Sequence, residues 1–131
     1  MPEIGLGVIP GMGGTQRLPR LVGKGRAMEL CATGKLIAFE EGLEMGLINH
    51  IYEKENFMDQ VMEYARQYIV PNKSSLAVGK VKRAIQTGLG LSLPDGLAFE
   101  RELLAQVFAS EDGNEGVKAF FEKRTPQFKG K

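Results

Sequence analysis

Three observations on the sequence predict a mostly α-helical chain with one or two short strands. Seven of the 17 glycines lie within residues 1–25, which indicates a loop-rich first third because glycine adopts tight turns at no steric cost. Most of the remainder carries apolar residues at the spacing of one helix face. Only residues 47–52 alternate in the manner of a strand. A single strand cannot form a sheet, so its partner is missing from this chain.

The first third of the chain is predicted to hold short helices separated by glycine. Helical character extends over residues 15–34, with a break at Gly23, and Thr15 is the candidate N-cap. Pro19 lies inside this segment, which favours a short helix or a proline within the first helical turn. A further short helix is predicted over residues 39–45.

The remaining two-thirds is predicted to consist of amphipathic helices. Ser92 and Asp95 form a candidate capping box before the third of them. Pro71 and Pro126 are expected to stop the first and the last, because proline cannot continue a helix. The helices are predicted over residues 57–68, 77–88, 97–108 and 117–124.

Composition excludes several classes of function. The formal net charge is +1 and no apolar run approaches the roughly 18 residues of a membrane span, so nucleic acid and membrane are not expected as partners. Cys31 is the single cysteine, which rules out an intrachain disulfide and favours a reducing compartment. His50 is the single histidine, so a metal site is not expected and a histidine-based triad would depend on that one residue. The expected location is the cytoplasm.

The glycine-rich start does not match a known phosphate loop. Gly13, Gly14 and Thr15 are not preceded or followed by the lysine that a Walker loop requires, and the spacing of the dinucleotide fingerprint also fails. The backbone amides of these three residues could hold an anion or a polarised oxygen at a helix start. The alternative is that the glycines only permit a tight turn.

Two further segments carry candidate functional residues. Glu3 stands among apolar and glycine neighbours, and a poorly solvated carboxylate there would suit general acid or base catalysis. The alternative is a solvated glutamate near a frayed terminus. Residues 116–131 hold five basic residues against one acid, with phenylalanines interleaved. This pattern suits a nucleotide that carries phosphates and a flat base, and the alternative is a solvated basic tail.

The sequences of these segments, and their order along the chain, resemble those of a known protein family. PEIGLGVIPGMGGTQRLPRLVGKGRAMEL, followed by TGKLI and GLINHIY, closely resembles the enoyl-CoA hydratase (crotonase) family, and so does SEDGNEGVKAFFEKRTPQF. The resemblance extends over essentially the whole chain and corresponds to the C-terminal half of a family member. It implies a fragment of an α/β crotonase-type spiral fold. Residues 1–52 would end the spiral core with its active-site loop, and residues 53–131 would form a helical region for oligomerisation and coenzyme A contact.

The resemblance also implies roles for four residues. Glu3 matches the second of the two catalytic glutamates, which exchanges a proton with the α-carbon as water adds across a 2-enoyl thioester. Gly11 matches a glycine whose backbone helps to hold the catalytic water. Phe120 and Lys123 match residues that contact the adenine and the 3′-phosphate of coenzyme A, commonly across a subunit boundary. The implied substrate is an acyl-CoA thioester, with no cofactor and no metal, and the implied assembly is a homo-oligomer, a trimer or a hexamer.

In this family the first catalytic glutamate and both oxyanion-hole amides lie upstream of the matched segment. The resemblance therefore implies an enoyl-CoA hydratase-type lyase of fatty acid metabolism and β-oxidation, whose isolated 131-residue chain is nearly inactive. The alternatives are an isomerase or another acyl-CoA lyase of the same family, and a non-catalytic fragment for coenzyme A binding or assembly.

Overall fold

The computed structural model describes residues 1–131 and divides into two compact units, Met1–Glu55 and Asn56–Lys131. Both units are helical, and neither contains a β-strand. The strand expected over residues 47–52 is therefore wrong: this segment is irregular, because an extended segment becomes a strand only when a neighbour pairs with its backbone. None of the helices combines the length and the apolar character that a bilayer crossing requires.

The first unit contains a short 3-10 helix and three α-helices. The predicted break at Gly23 is confirmed, since its φ of 82° and ψ of 160° separate two consecutive helices. The predicted cap at Thr15 is wrong, because the helix already begins at Gly14 and the left-handed Gly13 precedes it. Pro19 lies within a helix of nine residues, as the short-helix alternative predicted. The elements are the 3-10 helix Pro2–Leu6, α1 Gly14–Val22, α2 Lys24–Thr33 and α3 Phe39–Glu44.

The core of the first unit is small. It consists of one apolar cluster where α1 packs against α2, formed by Leu18, Val22, Ala27 and Leu30. Cys31 is half-buried at its border. Many other apolar side chains stay in solvent: Met12 is 95% exposed and Leu36 is 85% exposed. Since each large apolar side chain contributes roughly 1.5–3 kcal/mol when fully buried, most of the stabilisation available to this segment is not realised within it.

The second unit is formed by four α-helices. The predicted capping box of the third is confirmed in part, because the Ser92 hydroxyl oxygen accepts a hydrogen bond from the Asp95 amide at 3.3 Å. The Asp95 carboxylate accepts from the Ser92 hydroxyl instead of from the Ser92 amide. Pro71 does not stop the first of these helices, which already ends at Arg66. The last helix begins at Glu111, earlier than predicted, because Ser110 caps it. The helices are α4 Phe57–Arg66, α5 Ser75–Gly88, α6 Leu93–Phe108 and α7 Glu111–Glu122.

The helices of the second unit leave much of their apolar surface uncovered. α5 packs against α6, and α6 packs against α7. The buried apolar side chains are Leu103 and Ala119. More than half of the surface of Leu104 and Phe108 on α6 is exposed, and the same is true of Val81 on α5. The apolar faces predicted from periodicity exist, and exposed patches of this kind are typical of interaction surfaces.

Candidate functional site

Glu3 lies in the 3-10 helix that opens the first unit. Pro2 precedes it at the first helical position, and Gly7 ends the helix in the left-handed conformation with φ 75°. The Glu3 carbonyl accepts a hydrogen bond from the Val8 amide at 3.2 Å. The carboxylate oxygen Oε2 has no contact with solvent and no hydrogen-bond partner. An unpaired buried acceptor costs free energy, so this oxygen keeps an unused capacity to accept a hydrogen bond.

Gly11 lies in the turn that leads into α1. It is exposed, and a Cβ atom at this position would contact only the Ile9 carbonyl oxygen, at 3.7 Å. Its amide donates to no acceptor within the chain. The backbone at Gly11 is therefore open to a small molecule such as water. Glu3 and Gly11 both belong to the first unit.

The next two glycines are required by the turn itself. A Cβ atom on Gly14 would lie 2.7 Å from the Cβ of Pro10, which is closer than side chains approach. The Arg17 guanidinium lies over Gly13 and donates to the Met12 carbonyl at 2.9 Å. The sequence left two interpretations of these glycines open, an anion site at their amides and a tight turn. The structure favours the tight turn, because the Arg17 side chain already covers Gly13.

An open apolar cleft of about 380 Å³ lies beside the 3-10 helix. Its lining includes Ile4, which directly follows Glu3, together with Ile9 and Pro10. Met28 and Cys31, which lie on α2, also line the cleft. The sequence gives no sign of this cleft, since Met28 and Cys31 match the pattern of an ordinary helix core. The cleft has the size and chemistry to accept an apolar chain.

Phe120 and Lys123 lie at the end of α7 in the second unit. The Phe120 ring is 78% exposed and meets the Phe121 ring edge to face, with centroids 5.7 Å apart. Lys123 follows the helix in the left-handed conformation, with φ 53°, and its amide donates to the Phe120 carbonyl at 3.2 Å. An aromatic ring and an ammonium thus stand within one helical turn of each other, on an exposed helix end.

Four of the five basic residues in the C-terminal segment are ion-paired, and Lys123 is the exception. The pairs are Lys118 with Glu122, Arg124 with Glu115 and Glu122, Lys129 with Glu111, and Lys131 with Glu111. No carboxylate lies within ion-pairing distance of the Lys123 ammonium. The positive charge counted over residues 116–131 is therefore largely neutralised by α7, and Lys123 remains available to an anion.

Arg124 binds Glu115 through a two-pronged ion pair. Its Nη1 and Nη2 atoms lie 2.6 and 2.9 Å from the two carboxylate oxygens of Glu115, and its Nε atom donates to Glu122 at 2.6 Å. The Gln127 amide also donates to Glu115, at 2.8 Å. The hydrogen bond from Arg124, reinforced by that from Gln127, lowers the pKa of Glu115 to about 2. This geometry fixes the chain that follows α7 against the helix.

Asp112 anchors the last residues of the chain in the same way. Its carboxylate accepts hydrogen bonds from the Lys129 and Gly130 amides at 2.7 and 2.9 Å, and its own amide donates to the Lys131 carbonyl at 2.8 Å. Burial acts to raise the pKa of Asp112, but the hydrogen bonds from Lys129, Ser74 and Gly130 outweigh it and lower the pKa. We call Asp112, Glu115 and Arg124, with the chain that they hold, the C-terminal clasp.

The whole chain matches the family model described as enoyl-CoA hydratase/isomerase, over residues 1–131. It is 41% identical over 123 residues to a short-chain-enoyl-CoA hydratase from Clostridium acetobutylicum, covering 94% of this chain and 46% of that protein. It is 40% identical over 133 residues to the 2,3-dehydroadipyl-CoA hydratase from Escherichia coli, covering 100% of this chain and 51% of that protein.

Solved structures give the same result. The crystal structure of an enoyl-CoA hydratase from Geobacillus kaustophilus superposes with a TM-score of 0.93 at 42% identity. The match covers 99% of this chain and 48% of that one. The helical units described above are therefore similar to a part of that protein, and the chain spans about half the length of the relatives it matches.

Proposed function

The chain belongs to the enoyl-CoA hydratase/isomerase family, and from that membership we propose that it forms the C-terminal half of an enzyme that hydrates 2-enoyl-CoA to 3-hydroxyacyl-CoA. The observation that supports this most directly is the buried, unpartnered carboxylate oxygen of Glu3. The order of the motifs, with Pro-Glu at the start and SEDGNEGVKAFFEKRTPQF at the end, supports the assignment to the C-terminal half.

In the proposed reaction, the hydroxyl of a water molecule bonds to the β-carbon and a proton is delivered to the α-carbon. Glu3 is the group that exchanges this proton, and the open backbone at Gly11 helps to hold the water. Phe120 and Lys123 contact the adenine and the 3′-phosphate of the coenzyme A thioester, which is the substrate. A second glutamate and the oxyanion-hole amides come from the other half, and no further cofactor is required.

The test is hydration of crotonyl-CoA, followed as loss of the enoyl absorbance, with intact mass measured on the same sample. The purified chain alone is expected to show almost no turnover, because loss of a single oxyanion donor costs about 10²–10³ in rate. Addition of the N-terminal half of the Geobacillus kaustophilus enoyl-CoA hydratase is expected to restore turnover. Glu3→Gln should abolish the restored activity, whereas Glu44→Gln, at an exposed glutamate of α3, should not.

Two outcomes contradict this proposal. Turnover by the chain alone at 14.4 kDa would show that its own residues complete the site. Restoration by the C-terminal half of the relative, and not by its N-terminal half, would assign this chain to the other half. The same mixture separates the family alternatives: conversion of a 3-enoyl-CoA to a 2-enoyl-CoA without hydration would identify an isomerase.

A second candidate function is a non-catalytic module for assembly or coenzyme A binding, and the exposed apolar faces of α5 and α6 favour it. Self-association into a trimer or a hexamer would cover side chains such as Val81, Leu104 and Phe108. Sedimentation at micromolar concentration tests this, because the module would sediment as a defined oligomer that Leu104→Glu weakens. A sharp monomer in both variants would contradict it.

A further inference from the structure

Lys123 occupies a position that ordinarily favours glycine. Its amide donates to the Phe120 carbonyl at 3.2 Å and the Arg124 amide donates to the Ala119 carbonyl at 3.1 Å, which together form the Schellman ending of α7. The residue at the left-handed position of this motif is usually glycine, because a Cβ atom is strained there. Lys123 is the one non-glycine residue of the chain with a positive φ.

The strained turn is held by the clasp through the residues that follow Lys123. Arg124, the next residue, is fixed by its two-pronged contact with Glu115 and by its contact with Glu122. Three residues after Arg124, the Gln127 amide donates a hydrogen bond to the Glu115 carboxylate. A strained backbone conformation persists only where its surroundings over-determine it, and here they consist of charge-assisted hydrogen bonds.

The clasp also accounts for the free state of the Lys123 ammonium. Arg124 occupies Glu115 and one oxygen of Glu122, while Lys118 lies against the other oxygen of Glu122. The carboxylates of Glu115 and Glu122 are thus already paired, and the unpaired Lys123 ammonium belongs to the same helix end as the exposed Phe120 ring.

We propose that Arg124 and Glu115, with Asp112 as the outer anchor, are positioning residues that hold Lys123 in its left-handed turn as a preformed phosphate contact beside Phe120. The inference deepens the proposed function and rests on it, since it takes the phosphate to be the 3′-phosphate of coenzyme A. Arg124 itself binds no substrate in this arrangement and acts through Lys123.

The binding test compares the affinity of the full chain for coenzyme A and for dephospho-coenzyme A, which lacks the 3′-phosphate, by titration calorimetry. Lys123→Met is expected to weaken coenzyme A binding about tenfold or more, the usual effect of losing a charged hydrogen bond, without changing dephospho-coenzyme A binding. Arg124→Lys keeps the positive charge but loses the two-pronged contact with Glu115. It should therefore reduce the preference for coenzyme A over dephospho-coenzyme A. Added to Lys123→Met, it should have no further effect. Lys82→Met, which removes an exposed charge on α5 away from the clasp, is the matched control and should preserve the preference.

A second measurement needs no ligand. Replacing Lys123 with glycine removes the backbone strain, so the melting temperature should rise in the wild-type background. The rise should shrink in the Arg124→Lys background, because the turn is then no longer enforced.

The results separate this inference from the function it rests on. A wild-type chain with no preference for coenzyme A over dephospho-coenzyme A would overturn the proposed phosphate contact, and this inference with it. A wild-type preference that Arg124→Lys leaves intact would overturn the inference alone. An unchanged or lower melting temperature for Lys123→Gly would also overturn it, since the turn would then hold no strain.

Discussion

Replacing Asp112 with asparagine tests how much the C-terminal clasp stabilises the second unit. Asp112 is 3% exposed, and its two carboxylate oxygens accept from two different backbone amides, those of Lys129 and Gly130. Asparagine has the same shape but offers one acceptor oxygen, so its NH₂ group would face one of these amides. The substitution therefore leaves a buried donor without an acceptor and removes the charge from the remaining hydrogen bond.

The expected magnitude follows from these two losses. An unsatisfied buried donor costs about 1–3 kcal/mol, and a hydrogen bond to a charged group is worth about 1.5–3 kcal/mol against about 1 for a neutral one. Asp112→Asn should thus lower the free energy of unfolding by about 2–4 kcal/mol. This is a large share of the 5–15 kcal/mol typical of a folded domain, and the small buried core of the second unit offers little to offset it.

The assay is urea unfolding followed by circular dichroism at 222 nm, with Asp59→Asn as the matched control. Asp59 is exposed in the first turn of α4, and its replacement should change stability by less than about 0.5 kcal/mol. Limited proteolysis should cleave the last residues of the Asp112→Asn chain faster than those of the control. If the two variants unfold at the same urea concentration, the clasp does not stabilise the second unit.

Two other predictions concern pH and glycine. The pKa of Glu115 is about 2 in the folded chain against an ordinary 4.5, so the unfolded chain binds more protons between these values. The stability that this ionised carboxylate contributes above about pH 4.5 is lost as pH falls towards 2. Urea titrations at several pH values should show a smaller loss of stability for Glu115→Gln than for the wild-type chain. Equal losses in the two chains would contradict the pairing of Glu115 with Arg124. Gly14→Ala should lower the melting temperature, because its Cβ would overlap Pro10, whereas Gly79→Ala, in open space on α5, should raise stability by up to about 1 kcal/mol. A tolerated Gly14→Ala would show that the turn can relax.

Local chemistry made much of the secondary structure predictable. The break at Gly23 follows from the conformational freedom of glycine, and it is confirmed. The cap at Ser92 follows from a single hydroxyl, and it is also confirmed. The start of α7 was missed because residues 111–116 carry glycines and polar side chains, so its first turns show no apolar period. The strand over residues 47–52 was wrong for the opposite reason: its pattern is correct for a strand, but pairing depends on a neighbour and not on the segment itself.

The candidate site also contains features that depend on local sequence and features that depend on distant contacts. Glu3, Gly11, Phe120 and Lys123 came from motifs that are contiguous in sequence. The clasp could not be predicted in this way, since Asp112 binds amides 17 and 18 residues further on, and backbone amides leave no signature in a sequence. The count of basic residues after Gly116 was correct, but the pairing that neutralises most of them depends on how the chain end folds back over α7.

The distribution of these groups has a consequence for the proposed enzyme. Glu3, the proposed proton-transferring residue, belongs to the first unit, and the proposed coenzyme A contacts Phe120 and Lys123 belong to the second. Both units expose apolar side chains that their own cores do not cover. Association that covers these faces would stabilise the folded chain by mass action, to an extent that grows with the concentration of the partner. In a mixture with the complementary half, hydratase activity and melting temperature should therefore rise together over the same concentration range. If activity were to saturate while the melting temperature stayed constant, the exposed faces would not be the surfaces that complete the site.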